Sequence, residues 1–186
     1  MTLGQSMLVI GALTLLGLLV LNANSTILQT NTTMDNSEFG ITAVSLATSL
    51  VEEAMGKMFD EVIADSNTGA ITSESQLSTI LGHDGTEHYR GGAQDFDDFD
   101  DFNGVFLVFK SNVAADTVST PGSTFESIVP GIRAKYFVRA QVVYVNPLNL
   151  DGASASRTYH KKIIVTVTST GSTDTLRFPA IMSYWN

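Results

Sequence analysis

The chain has no cysteine in its 186 residues. That excludes a disulfide framework and the Cys-x-x-Cys-His attachment of haem. It has no charged side chain before Asp35. A secretory leader opens on basic residues and closes on a small-residue cleavage site, so the leader pattern fits poorly here. It has no proline before Pro121, so nothing upstream breaks a helix by proline chemistry. Basic residues are scarce, 10 against 19 acidic ones for a net charge of −9. A body that binds nucleic acid needs a basic face for phosphates, and no such face is evident.

What is present at the start is an apolar run, Met7 to Leu21, reading MLVIGALTLLGLLVL. Exposed to water it is poorly soluble and needs a bilayer or other apolar partners. A plain membrane anchor takes about 20 apolar residues. Leu3 through Ala23 reaches that length if Gln5, Ser6, Thr14 and Asn22 are tolerated. The remainder is acidic, amphipathic and strand-rich, so the chain reads as one globular unit plus an appendage. Its charge is segregated: residues 1–132 carry 3 basic and 17 acidic side chains, residues 133–186 carry 7 basic and 2 acidic. Either the two blocks neutralise one another within one fold, or they complement each other between neighbouring subunits.

The polar run Asn22-Ala23-Asn24-Ser25-Thr26 and Gln29-Thr30-Asn31-Thr32-Thr33 is built of weak helix formers, and Gly11 and Gly17 weaken the helix upstream. A second helical pattern follows, with Val44, Leu50, Val51, Ala54, Met55, Met58, Val62 and Ile63 at helical spacing. Glu52, Glu53, Lys57, Asp60 and Glu61 form its polar face, and its methionines read as core rather than as ligands. A helix unbroken from Met1 to Ile63 would run about 95 Å, longer than any small domain, so its first half is expected to protrude. Ser66-Asn67-Thr68-Gly69 reads as the stop. The domain reading is 1–34 apolar helix and polar hinge, 35–66 amphipathic helix, and 67–186 sheet domain.

Thr72 to Gly92 is polar and loop-like apart from Leu77, Ile80 and Leu81. Val105 to Phe109 is expected to be a buried strand. In Lys135 to Val145 the residues Tyr136, Val138, Ala140, Val142 and Tyr144 share one face, and Ile163, Val165 and Val167 alternate in His160 to Thr168. Thr170-Gly171-Ser172 turns into a last strand, Thr175 to Met182, whose Pro179 favours an edge. No long second helix interrupts these strands, which implies an antiparallel sheet and an α+β fold with one sheet face laid on the C-terminal half of the long helix.

The segment Met1-Thr2-Leu3-Gly4-Gln5-Ser6-Met7-Leu8-Val9-Ile10 resembles the mature amino terminus of a type IV pilin, Phe-Thr-Leu-Ile-Glu followed by an apolar helix. Thr2, Leu3 and the apolar run match in register. Met1 stands where that family has a methylated aromatic residue, Gly4 replaces an aliphatic one and Gln5 replaces the glutamate. With Met1 instead as initiator, cleavage after Gly4 is the alternative. Ser49-Leu50-Val51-Glu52-Glu53-Ala54-Met55 with Phe59-Asp60-Glu61, and Phe96-Asp97-Asp98-Phe99-Asp100-Asp101-Phe102-Asn103-Gly104 ahead of the sheet, resemble minor pilins of the mannose-sensitive hemagglutinin biogenesis class. Lys162-Ile163-Ile164-Val165-Thr166-Val167-Thr168 is similar to that class's terminal strand pair.

The resemblance implies a non-enzymatic subunit that waits in the inner membrane. Pilus assembly machinery would then build it into an extracellular homopolymer through its N-terminal helices. The assembly residues are Met1, Gln5, Met7, Leu8, Ile10, Leu13, Leu16 and Leu19. In the family the glutamate is thought to pair with a neighbour's terminal ammonium; glutamine keeps the hydrogen bonding without the cost of a charge. A minor pilin, a secretion pseudopilin and a membrane-anchored periplasmic protein are the alternatives.

The remaining chemistry is sparse. Asp95, Asp97, Asp98, Asp100 and Asp101 crowd one segment, interleaved with Phe96, Phe99 and Phe102. Five carboxylates repel unless solvated or neutralised, so the segment is either a solvated acidic loop or a calcium site; the EF-hand spacing is absent. In either case the phenylalanines are expected to enter the core and hold the acids outward. His83, His88 and His160 lack a diagnostic zinc spacing. No nucleophile elbow or phosphate loop occurs, and Gly91-Gly92 reads as a turn. Asn24-Ser25-Thr26 and Asn31-Thr32-Thr33 match the glycosylation acceptor pattern, read here as chance in a threonine-rich stretch.

Overall fold

The computed structural model describes residues 3–64, 71–85, 87–90, 94–110, 124–129, 132 and 134–185. The chain divides into two units, residues 1–39 and residues 40–186. The expected stop at Ser66 to Gly69, the Gly91-Gly92 turn and the assembly residue Met1 lie outside the described residues.

One helix, α1, runs from Leu3 to Met55. Its first unit consists of exposed apolar residues followed by the polar run. That run is helical here despite its weak formers. The hydroxyls that would compete for the backbone bond back onto the helix's own carbonyls: Ser25 and Thr26 donate to Asn22 O, Thr30 to Thr26 O, and Thr33 to Gln29 O, each at 2.9 Å.

In the second unit the rest of α1 buries a stripe made of Ala43, Ala47, Leu50, Val51 and Ala54. Three alanines in that stripe let the helix approach its packing surface closely. The amphipathic helix expected over 35–66 is interrupted: α1 stops at Met55, and among the described residues only Glu61–Ala64 (α2) is α-helical after it. Val44, Met55 and Met58 are exposed rather than core. Met58 has left the helix to form a bridge with Asp98, its N–H donating to Asp97 O at 3.0 Å while its carbonyl accepts from Phe99 N at 2.8 Å. The helical spacing therefore carried on in the sequence past the point where the backbone turns away.

The sheet holds β3 (Phe106–Lys110), β4 (Thr124–Ile128), β5 (Tyr136–Asn146), β6 (Asn149–Ala153), β7 (His160–Ser169) and β8 (Thr175–Ser183). Its order is β4-β3-β5-β7-β8, with β6 folded back on β5. Two short strands, β1 (Glu87–His88) and β2 (Gln94–Asp95), pair separately. The α+β reading holds, and the main sheet is mostly antiparallel, with one exception: β3 and β4 pair in parallel. Tyr136, Val138, Ala140, Val142 and Tyr144 are buried on β5 and Ile163, Val165 and Val167 on β7, as their alternation requires. Pro179 sits on the edge strand β8 opposite Ile164, where a missing N–H costs no inner ladder bond.

Phe96, Phe99 and Phe102 are buried as expected. Phe96 and Phe102 meet edge to face with centroids 5.4 Å apart, and Tyr89 packs on both. Asn103 ties this segment to its surroundings: its amide nitrogen donates to Leu81 O at 2.9 Å and its oxygen accepts from Val142 N at 2.9 Å. Gly104 follows with φ of 87°, a conformation that glycine adopts without strain. Its N–H donates to Ala140 O, which passes the chain into β3.

Candidate functional site

Two features are candidates, one in each unit. In the first unit, Met7, Leu8, Ile10, Leu13, Leu16 and Leu19 are all exposed on α1, together with Leu3, Val9, Leu15, Leu18, Val20 and Leu21. Apolar side chains are exposed on every side of the helix, so no single stripe is turned inward. A helix apolar all round belongs inside a bundle or a bilayer. This segment is long and apolar enough to cross a membrane, and none of it is buried. Gln5 lies on the same exposed stretch. Both glycosylation-type triplets fall within α1.

In the second unit the five aspartates separate. Asp95 and Asp97 are exposed, whereas Asp98, Asp100 and Asp101 are buried. The solvated-loop expectation is thus corrected for three of the five, and the phenylalanines do not hold those acids outward. One of the three, Asp100, meets a lysine from β7. Lys161 is completely buried, and its Nζ donates to Asp60 Oδ2 at 2.7 Å, to Asp100 Oδ1, and to the Phe59 carbonyl at 2.8 Å. Three donors meet three acceptors, which is the condition for keeping an ammonium out of water. The rings of Phe59 and Tyr144 lie 4.7 and 5.4 Å from Nζ.

Asp60, expected on a solvated helix face, is fully buried instead. Its carboxylate also accepts from Ser78 N at 3.1 Å, Ser78 Oγ at 2.9 Å and the Tyr144 hydroxyl at 3.2 Å. Burial alone would raise its pKa. The Lys161 charge and the hydrogen bonds from Lys161 and Ser78 outweigh it, and Asp60 is held below the usual carboxylate value. Asp98 goes the other way: burial, then the nearby charges of Asp100 and Asp101, push it up to about 9. Its Oδ1 accepts from Asp101 N at 3.0 Å, while its Oδ2 is buried without a hydrogen-bond partner. Asp100 is raised as well, by burial first, against the pull of Lys161.

Carboxylates of Glu61, Glu87 and Asp101 come within 4.8 Å of one another. Asp101 is the only one of the five sequence-flagged aspartates in that group, so the five do not converge on one calcium position. Asp101 Oδ2 already accepts from Asp97 N and Asp98 N, at 3.0 and 3.1 Å. Burial and the charge of Asp101 raise Glu87 to about 7. The histidines go elsewhere: His83 stacks on Phe96, His88 is exposed on β1, and His160 Nδ1 meets Ser183 Oγ at 2.8 Å.

Sequence reasoning missed Lys161, Ser78 and Tyr144 as a polar set around Asp60. The available signal was the charge segregation: Lys161 comes from the basic block, Asp60 and Asp100 from the acidic one, so neutralisation within one fold operates at this point. No family model, curated protein or solved structure matches the chain.

Proposed function

We propose that this chain is a structural subunit of a type IV pilus-like filament, held in a membrane by its apolar helix and then assembled through it. The observation that carries the reading is the fully exposed, uncharged and apolar start of α1 on a chain whose second unit has an ordinary buried core. The pilin-like register of Thr2, Leu3 and the apolar run supports it. Assembly is the mechanism, with no catalytic step: an apolar helix leaves lipid for an equally apolar bundle of identical helices. The gain comes from packing and satisfied polar groups, not from dehydration. The sheet units would face outward, and the inner membrane would hold the unassembled pool. Imaging sheared surface material, with mass spectrometry of its principal band, tests this: filaments built of this chain are expected, and a chain found only in the membrane fraction would refute it.

A minor pilin or pseudopilin role has one observation of its own, glutamine at position 5 where the resemblance calls for glutamate. A priming subunit would then be rare in the sheared filaments that it helps to start.

A further inference from the structure

Lys161 and its two aspartates are more than a neutralised charge. A primary amine and two carboxyl groups share a pocket closed to solvent, walled by Phe59 and Tyr144, with Lys161 and Asp60 side chains exposing nothing and Asp100 almost nothing. In water an ammonium and a carboxylate stay an ion pair because hydration stabilises both charges. Where water is excluded, the neutral amine and neutral acid gain on the charged pair, and a fixed geometry replaces the entropy of a bimolecular encounter. We propose that Lys161 and Asp100 become joined by a side-chain amide within the folded chain, with Asp60 as the proton carrier.

The step balances without any oxidant or co-reactant. Asp60 takes a proton from the Lys161 ammonium, and the freed amine adds to the Asp100 carboxyl carbon. The carbon–oxygen bond to one Asp100 oxygen then breaks, and that oxygen leaves as water with the two protons shed by nitrogen, one of them delivered by Asp60. An ammonium and a carboxylate enter; an amide and one water leave; Asp60 ends as it began.

The roles follow from the surroundings. Asp60 receives the Ser78 N–H, the Ser78 hydroxyl and the Tyr144 hydroxyl in addition to Lys161, contacts that favour the carboxylate form. A carboxylate so held stays ionised, which leaves it open to a proton from the ammonium and makes it a poor electrophile. Asp100 lies beside the buried Asp98, whose Oδ2 lacks a hydrogen-bond partner. Burial pushes Asp98 up to about 9, and burial raises Asp100 too, outweighing the Lys161 charge and the hydrogen bonds with Lys161 and Asp98 that pull it down. Asp100 is therefore the carboxyl of the two that more readily takes the neutral, electrophilic form. The amide would close a loop between residues 61 positions apart, tying the aspartate-rich segment to β7 in a chain that has no cysteine to staple it.

The test is peptide mapping of the full chain in detergent, unfolded and digested with trypsin. The expected product is a branched peptide joining the Asp100 segment to Lys161, lighter than its two linear parts by one water, with the linear Asp100 peptide absent. Branching is the readout because cyclisation at Asp84-Gly85 or Asp151-Gly152 would also shed water but leave linear peptides. Lys161→Arg and Asp100→Ala should give linear peptides only, and Asp60→Asn should slow linkage at least tenfold on refolding from the unlinked chain. Linear peptides covering Asp100 and Lys161 in the parent chain would overturn the proposal. So would a branch mapped to other residues, and an Asp60→Asn variant that links at the parent rate would remove Asp60 from it.

Discussion

Lys161 Nζ donates to Asp60 Oδ2 at 2.7 Å with neither side chain reaching solvent, although 101 positions separate them in the sequence. Asp60 stands just after the end of α1, and Lys161 stands on β7 opposite Tyr144 of β5 and Met182 of β8. The contact therefore fixes the chain leaving the helix against an inner strand of the sheet. Around it, Phe59, Ile71, Leu77 and Tyr144 form a buried cluster, with Tyr159 and Tyr184 packed against it.

Removing one partner of this buried set should cost far more than removing a surface ion pair. Lys161→Met leaves two buried carboxyls without their cation and is expected to destabilise the second unit by about 3–5 kcal/mol. Arg90, more than half exposed, pairs with Glu53 at the surface. Arg90→Met should cost under about 1 kcal/mol. Denaturant unfolding of both variants, followed by tyrosine fluorescence, checks the contrast.

Stability should fall as pH rises through neutrality. Burial and the charge of Asp101 raise Glu87 to about 7 in the fold, above its ordinary carboxyl value. The folded state then binds a proton that the unfolded chain releases. The stabilising contribution is complete below about pH 4 and is lost as pH climbs through 7. Asp98, raised to about 9, extends the same trend upward. Asp60, held low, acts in the opposite sense and only in acid, where its contribution disappears. Glu87→Gln should flatten the slope between pH 5 and 8, measured as melting temperature against pH; an unaltered slope would show that Glu87 does not set it.

Deleting residues 1–24 should yield a soluble monomer that keeps the sheet. Residues 3–24 are all exposed, whereas the buried helix residues of the second unit begin at Ala43. Sedimentation and circular dichroism check this. A truncated chain that still formed the parent filaments would separate assembly from the apolar helix.

The polar run from Asn22 to Asn36 should be the first part of α1 to open in the assembled state. Its hydroxyls are bonded to their own helix carbonyls, an arrangement that slightly weakens a helix. Hydrogen exchange on filaments should find less protection there than over Leu8 to Leu19. Equal protection would mean that neighbouring helices hold it shut.

Asn103→Ala should cost about 1–3 kcal/mol, because it orphans the Val142 N–H and the Leu81 carbonyl together. Asn103→Asp is the informative comparison, since it retains an acceptor for Val142 but loses the donor to Leu81. As the carboxylate it should be less stable than the parent, and at low pH, where the uncharged carboxyl regains an O–H to donate, its stability should approach the parent's.

Local pattern was enough for the elements whose burial repeats. The alternation in Tyr136 to Tyr144 and Ile163 to Val167 marks strands with one buried face, because side chains on a strand change sides at every residue. The uncharged start marks a helix needing an apolar medium, because water solvates such a surface poorly. Pro179 marks an edge because it has no N–H to donate. What tertiary structure alone decided is where the charges go. Asp60, Glu61 and Met58 continue a helical spacing, yet the backbone leaves the helix at Met55 once Met58 can pair with the aspartate-rich segment. The parallel pairing of β3 with β4 depends on a partner that no local repeat specifies. Nothing local in the five crowded aspartates marks which three are buried, or that β7 brings Lys161 to Asp100. A carboxylate's burial depends on whether a cation distant in sequence arrives beside it, and that is a property of the assembled fold.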